Sequence, residues 1–212
     1  MSAGLFRRLA FTARVKRVGV LAIQGDVAEH LAAVERAAAV AGVRAQAVPV
    51  RRGADLSGVH ALILPGGEST TISKMLHTNG LFGPVRSRAE EGSLALLGTC
   101  AGMIVVAKGG NEQVSRTKTD LLGVMDIDVD RNAFGRQRES FEAELAVEGF
   151  ASPLHAVFIR APAIRRAFGR AKVLARLGEF GVFAAQGNLL ATAFHPELTR
   201  DTRVHEMLIA MA

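Results

Sequence analysis

Leu94-Ala95-Leu96-Leu97-Gly98-Thr99-Cys100-Ala101-Gly102 is the stretch that decides the architecture. Four consecutive apolar residues read as a strand covered on both faces, the habit of a parallel sheet. The strand runs straight into Gly-x-Cys-x-Gly, and a helix is expected to follow through about Lys108. Strand, sharp turn, nucleophile and helix make a nucleophile elbow, with cysteine in place of serine. The tip residue of such a turn takes a strained backbone conformation. Glycines two positions to either side let the neighbouring strand and helix close in without a Cβ clash. The helix N-terminus behind the turn favours thiolate over thiol. A buried structural cysteine is the plain alternative, but flanking glycines at a strand-to-helix junction rarely arise by chance.

Upstream, Val18–Ile23 reads as a buried strand ending in the turn Gln24-Gly25-Asp26. Residues 27–41 place Val27, Leu31, Val34 and Ala38 at helical spacing, with Gly42 as the stop. Val43–Val50 and Ala61–Leu64 supply two more strands. Pro65-Gly66-Gly67 closes the latter, and Ser69 or Thr70 is expected to cap a helix through Ile72, Met75 and Leu76. Another helical stretch precedes Leu94. Downstream, Val124–Asp130 alternates apolar and acidic residues, as a half-exposed strand does. Segments near 137–147, 155–160, 171–177, 181–186 and 189–194 also look extended, and 201–211 reads as a terminal helix. This grammar predicts an α/β fold with a mostly parallel, mixed central sheet flanked by helices. No repeat or linker divides residues 17–212, so a single domain is expected there.

Composition narrows the function. Five of the 26 basic residues (Arg7, Arg8, Arg14, Lys16 and Arg17) fall in the first 17 positions, leaving 21 against 20 acidic residues elsewhere. The body is nearly neutral and the chain lacks Trp and Tyr, so a nucleic-acid groove with stacking platforms is not indicated. No apolar run is long enough for a bilayer. The lone cysteine precludes an intrachain disulfide and fits a reducing compartment, so a cytoplasmic location is expected. Residues 1–16 read as a basic N-terminal extension. A disordered tail or an upstream start site is the simpler account of it, and an organellar transit segment the third.

A thiol nucleophile needs a base and a group to orient that base. Leu189–Phe194 delivers His195-Pro196-Glu197 at the end of a strand. In extended backbone, residues 195 and 197 share a face, so the carboxylate can set the imidazole tautomer. Alone, His-Pro-Glu is a weak signal; behind an elbow cysteine it becomes a base with its orienter. Pro65-Gly66-Gly67-Glu68-Ser69 ends a neighbouring strand. Backbone N–H groups of Gly66 and Gly67 can form half of an oxyanion hole, with the N–H of Ala101 as the other half. A plain turn before a helix is the competing reading.

Gly98–Gly102 together with His195-Pro196-Glu197 resembles the class I (triad) glutamine amidotransferases. Further blocks are similar to one branch, the glutaminase subunits of pyridoxal 5′-phosphate synthase. They are Leu21–Asp26, Leu64–Thr71, Arg131-Asn132-Ala133-Phe134-Gly135-Arg136-Gln137, Phe158-Ile159-Arg160-Ala161-Pro162 and Phe194–Thr199. The blocks fall in order and span about residues 17–212. The resemblance implies a three-layer fold and a Cys100–His195–Glu197 triad. It also implies a glutamine site built from Gly67, Glu68, Ser69, Arg131, Ile159 and Arg160. Gln24 would face a barrel-shaped synthase subunit and help complete the oxyanion hole. The implied reaction is hydrolysis of L-glutamine to L-glutamate and ammonia, the ammonia passing to that partner, with no metal or organic cofactor on this chain. The rival readings are an amidotransferase for another acceptor, a catalytically silent scaffold, and a cysteine peptidase. The first would not be expected to show the Arg131–Gln137 block, a scaffold has no need of an intact triad, and a peptidase would not explain the Arg131 and Ile159-Arg160 blocks.

Overall fold

The computed structural model describes residues 15–117, 119–134 and 140–212. The expected N-terminal extension and the Gly135-Arg136-Gln137 end of one block lie almost wholly outside them. Lys16 is already part of the first strand rather than of the extension, and its ammonium donates to the Ile209 carbonyl at 2.7 Å.

The elements follow in chain order. Strand β1 (Lys16–Leu21) leads to α1 (Val27–Ala41), β2 (Ala45–Val50) and β3 (Ala61–Leu64). Then come α2 (Ser69–Thr78), α3 (Phe82–Glu90), β4 (Ala95–Thr99) and α4 (Ala101–Val106). The chain continues through β5 (Ala107–Gly110), α5 (Glu112–Arg116), β6 (Met125–Asp130), β7 (Ser140–Leu145) and β8 (Leu154–Ile159). It ends with β9 (Ala163–Ala167), β10 (Lys172–Leu177), β11 (Phe180–Gln186), β12 (Leu189–Thr192) and α6 (Arg203–Met211).

The central sheet runs β2-β1-β3-β4-β12-β11-β9-β6-β5, with β10 on β11 and β7–β8 forming a separate hairpin. From β2 to β12 every pairing is parallel; beyond β12 the sheet turns antiparallel until the parallel β5–β6 pair at the far edge. This is the mixed, mostly parallel sheet that the alternating elements predict. Ala61–Leu64 and Leu96–Leu97 are wholly buried, as strands covered on both faces must be. Because β4 lies between β3 and β12, the carboxyl ends of three parallel strands converge, the usual place for a ligand crevice in such sheets.

Two local expectations are corrected. Glu68, rather than Ser69 or Thr70, caps α2: its carboxylate accepts from the Thr71 N–H at 2.8 Å. A charged acceptor suits the positive end of a helix better than a hydroxyl. The helix after Cys100 stops at Val106, and Ala107–Gly110 is a strand. Every residue of α4 is buried, so no polar face marks its period or its end.

Candidate active site

Cys100 stands between β4 and α4 at φ 48° and ψ −109°, a conformation that L-residues seldom adopt. Its N–H donates to the Thr192 carbonyl at 2.8 Å, which ties the turn to β12. The flanking glycines are required by close approach. A Cβ on Gly98 would lie 2.6 Å from the Gly102 carbonyl oxygen, and one on Gly102 would lie 2.0 Å from that of Leu64. The turn is therefore strained at its tip and clamped by backbone on both sides. The Cys100 thiol points toward the carbonyl of Ile159, with Sγ 3.8 Å from the oxygen.

His195 Nδ1 and Glu197 Oε1 are 2.8 Å apart, both side chains buried. The route to this contact differs from the expected one. β12 ends at Thr192, and Pro196–Leu198 is a 3-10 turn, so strand alternation does not align the two. The proline starts a tight turn that swings Glu197 back beneath the imidazole. The His195 N–H is held by the Val157 carbonyl at 2.8 Å, anchoring the turn to β8. Asp26 brings a second carboxylate to within 3.5 Å of His195 Nδ1.

The electrostatics follow from this packing. Burial opposes a charged His195, but the neighbouring Cys100 and the hydrogen bond to Glu197 override it and lift the pKa to about 10, while His195 Nε2 is buried without a hydrogen-bond partner among the described residues. Burial also raises Glu197 above the ordinary carboxylate value, against the pull of His195. His195 thus carries its proton through neutral pH, with Nδ1 held by the Glu197 carboxylate.

A cleft of about 460 Å³ opens over Cys100. Gln24, Gly66, Gly67, Glu68, Ser69, Cys100, Ala101, Arg131, Ile159, Arg160 and His195 all line it, so the structure gathers every expected site residue except Glu197, which lies behind His195. Glu68 and Arg131 form an ion pair across the cleft. Burial opposes ionisation of Glu68, but hydrogen bonds from Thr70, Thr71 and Arg131 hold its pKa at about 2. The buried Arg131 Nη1 and Ser69 hydroxyl have no hydrogen-bond partner among the described residues. Gln24 lies against Gly67, where a Cβ would come within 2.5 Å of its side-chain nitrogen. Arg160 also takes a left-handed backbone conformation, φ 43°. Ala101 begins α4, so its N–H is among those a helix leaves without an internal partner.

Sequence reasoning missed Asp26, read only as part of a turn, and His30, buried beneath Glu197. His30 falls in step with the buried face of α1, alongside Ala33, Val34, Ala37 and Ala38. A polar residue on an otherwise apolar stripe is the signal that marks it.

The sequence profile of the SNO glutamine amidotransferase family matches residues 20–212. A protein of Thermus thermophilus named pyridoxal 5'-phosphate synthase subunit PdxT is 52% identical over 195 residues, 92% of this chain and 97% of that protein. A protein of the same name from Methanosarcina barkeri is 47% identical over 193 residues, 91% of this chain and 96% of that one. A crystal structure titled as a glutamine amidotransferase superposes with a TM-score of 0.82 at 50% identity, covering 92% of this chain and 97% of the other. A glutamine amidotransferase from Thermotoga maritima shares the fold alone, with a TM-score of 0.59 at 15% identity over 91% of this chain and 80% of that one. With the match running through β4, the elbow and the His195–Glu197 turn to the last residue, this chain belongs to the SNO glutamine amidotransferase family.

Proposed function

We propose that this chain is the glutaminase subunit of a pyridoxal 5′-phosphate synthase, hydrolysing L-glutamine to L-glutamate and ammonia. The carrying observation is a strained Cys100 elbow in one cleft with His195, itself held by Glu197 at 2.8 Å. Arg131 supports an amino-acid substrate: its free, buried Nη1 can bind the α-carboxylate while Glu68 holds the other nitrogen. Glu68 then acts through Arg131, and the Ser69 hydroxyl, Ile159 and Arg160 complete the glutamine site.

The chemistry is acyl transfer to water. Cys100 sulfur, its proton already resident on His195, attacks the side-chain amide carbon of glutamine. N–H groups of Gly66, Gly67 and Ala101 receive the tetrahedral oxyanion. His195 returns its proton to nitrogen, the C–N bond breaks and ammonia leaves, with a glutamyl thioester on Cys100. Water then attacks the thioester as His195 takes its proton, releasing glutamate and returning sulfur and imidazolium to their starting state. Glu197 keeps the imidazole in one tautomer throughout. Gln24, packed on Gly67, links the oxyanion segment to the surface expected to meet the barrel-shaped synthase subunit, so docking would complete the site and pass ammonia on without loss to solvent.

The test is glutamate release from glutamine by the purified chain, with and without a cognate synthase subunit, alongside Cys100→Ala. Release that rises with the partner and vanishes in the variant is the expected result. Folded protein that releases no glutamate in either condition would overturn the reading.

A further inference from the structure

The triad does not end at Glu197. Its second carboxylate oxygen, Oε2, is fully buried, has no hydrogen-bond partner among the described residues, and has His30 Nε2 3.3 Å away. His30 is wholly buried on α1, and its Nε2 is also 3.3 Å from the Thr99 hydroxyl, one residue before the nucleophile. On the other side of its ring, Nδ1 lies 3.2 Å from Nε2 of His205, on α6 and equally buried.

The tautomers follow from the partners. An ionised carboxylate only accepts, so His30 Nε2 carries the hydrogen. In a neutral ring Nδ1 is then an acceptor, and His205 Nε2 must donate to it. His205 Nδ1, left without a hydrogen, has no partner among the described residues. Burial together with the neighbouring His205 and His195 pushes the His30 pKa well below its ordinary value. Burial and Arg36 lower His205 to about 4. Both rings are neutral where the triad works, as this donor sequence requires.

We infer that His30 is a positioning residue for glutamine hydrolysis: its Nε2–H holds Glu197 through Oε2, with His205 fixing the His30 tautomer. This rests on the proposed glutaminase activity and adds two residues behind the triad. His30 never touches substrate. A buried carboxylate that must orient an imidazolium needs donors for both oxygens. His195 supplies one, and His30 Nε2, 3.3 Å from Oε2, is the donor placed to supply the other. Because Thr99 shares the same N–H, the contact also locks the elbow strand to the turn that carries His195.

The charged and titratable groups around this point are Glu197 and His195 on the catalytic turn, His205 on α6, Arg36 beyond His205, and Asp26 ahead of α1. Without the donor, Glu197 holds a proton to higher pH, and the acid limb of activity moves up.

Two amides of different reach separate the links. In His30→Gln the side-chain nitrogen falls where Nε2 was and can still donate to Glu197. In His30→Asn it stops at the Nδ1 position and keeps only the His205 side. The assay is glutamate release by the complex with the synthase subunit, against pH, with thermal melting as a check on folding. The expected result for His30→Asn is a kcat about 10- to 100-fold lower, KM within about twofold, and an acid limb at higher pH. His30→Gln should restore most of the rate and the wild-type limb. If Asn fails to fold, His205→Phe serves in its place, expected to shift the limb in the same direction with less loss of rate. A folded His30→Asn, or failing it His205→Phe, with wild-type rate and limb would overturn the proposal, as would equal losses for Gln and Asn. A wild-type complex that releases no glutamate would instead sink the glutaminase reading on which it stands.

Discussion

In the proposed glutamine site, Arg131 divides one side chain between a structural ion pair and the substrate. One guanidinium nitrogen pairs with Glu68, while the other is buried in the cleft without a protein acceptor. A planar fork can serve two carboxylates at once; an ammonium cannot offer the same geometry. Arg131→Lys is therefore expected to raise KM for glutamine about 10-fold or more with a smaller change in kcat, because a ground-state contact is lost rather than a reacting group. Steady-state kinetics of the complex reads this directly, and an unchanged KM would remove Arg131 from the substrate site. At this scale the sequence was informative wherever a residue's chemistry was out of place. Cys100 between glycines and His195 beside Glu197 were visible as motifs. His30 and His205 were not, because a lone histidine on an apolar helix face is marked as a misfit but not as one of a pair, and their meeting depends on how α1 packs against α6.

The elements explain why the elbow holds its strain. β4 is flanked by β3 and β12, so the backbone on both sides of Cys100 is fixed by parallel ladders. α4 then starts close enough to β3 that a Cβ on Gly102 would intrude 2.0 Å from the Leu64 carbonyl. Gly102→Ala must push helix and strand apart, at a cost of about 1–3 kcal/mol for overpacking a buried contact. A fall in Tm together with lost glutaminase activity is the expected outcome of melting and rate measurements; a variant with wild-type stability would mean that α4 has room to move. The strands around the elbow were legible because continuous apolar runs bounded by glycine have few other readings. β9 was not: Ala163–Ala167 carries adjacent exposed arginines, without the alternation that marks a strand. Its extended form comes from pairing with β6 and β11, a tertiary cause that a local pattern does not contain. The ends of α4 were hidden for the related reason that a helix buried all round shows no period.

For the whole molecule, the buried histidines should shape stability against pH. His205 has a pKa of about 4 against an ordinary 6.5, and burial lowers His30 in the same direction. For such groups the unfolded chain takes up protons first. Their contribution is full above about pH 6.5 and is lost as pH falls toward 4, at about 1.4 kcal/mol per pH unit for each proton. His195 acts with the opposite sign. Its pKa, raised to about 10, gives a contribution that is full below 6.5 and fades as pH climbs toward 10. Glu197, raised by burial, offsets part of the acid loss, because the folded state binds its proton earlier than the unfolded chain does. The sum is a stability maximum near the ordinary histidine pKa, falling on both sides. Urea unfolding across pH 4.5 to 9.5 should trace that dome. His205→Gln, which cannot titrate, should flatten the acid side by about one proton's slope and leave the alkaline side unchanged. An acid slope unaltered by the substitution would show that His205 takes up its proton at the same pH folded as unfolded, contrary to the buried neutral ring on which this account rests.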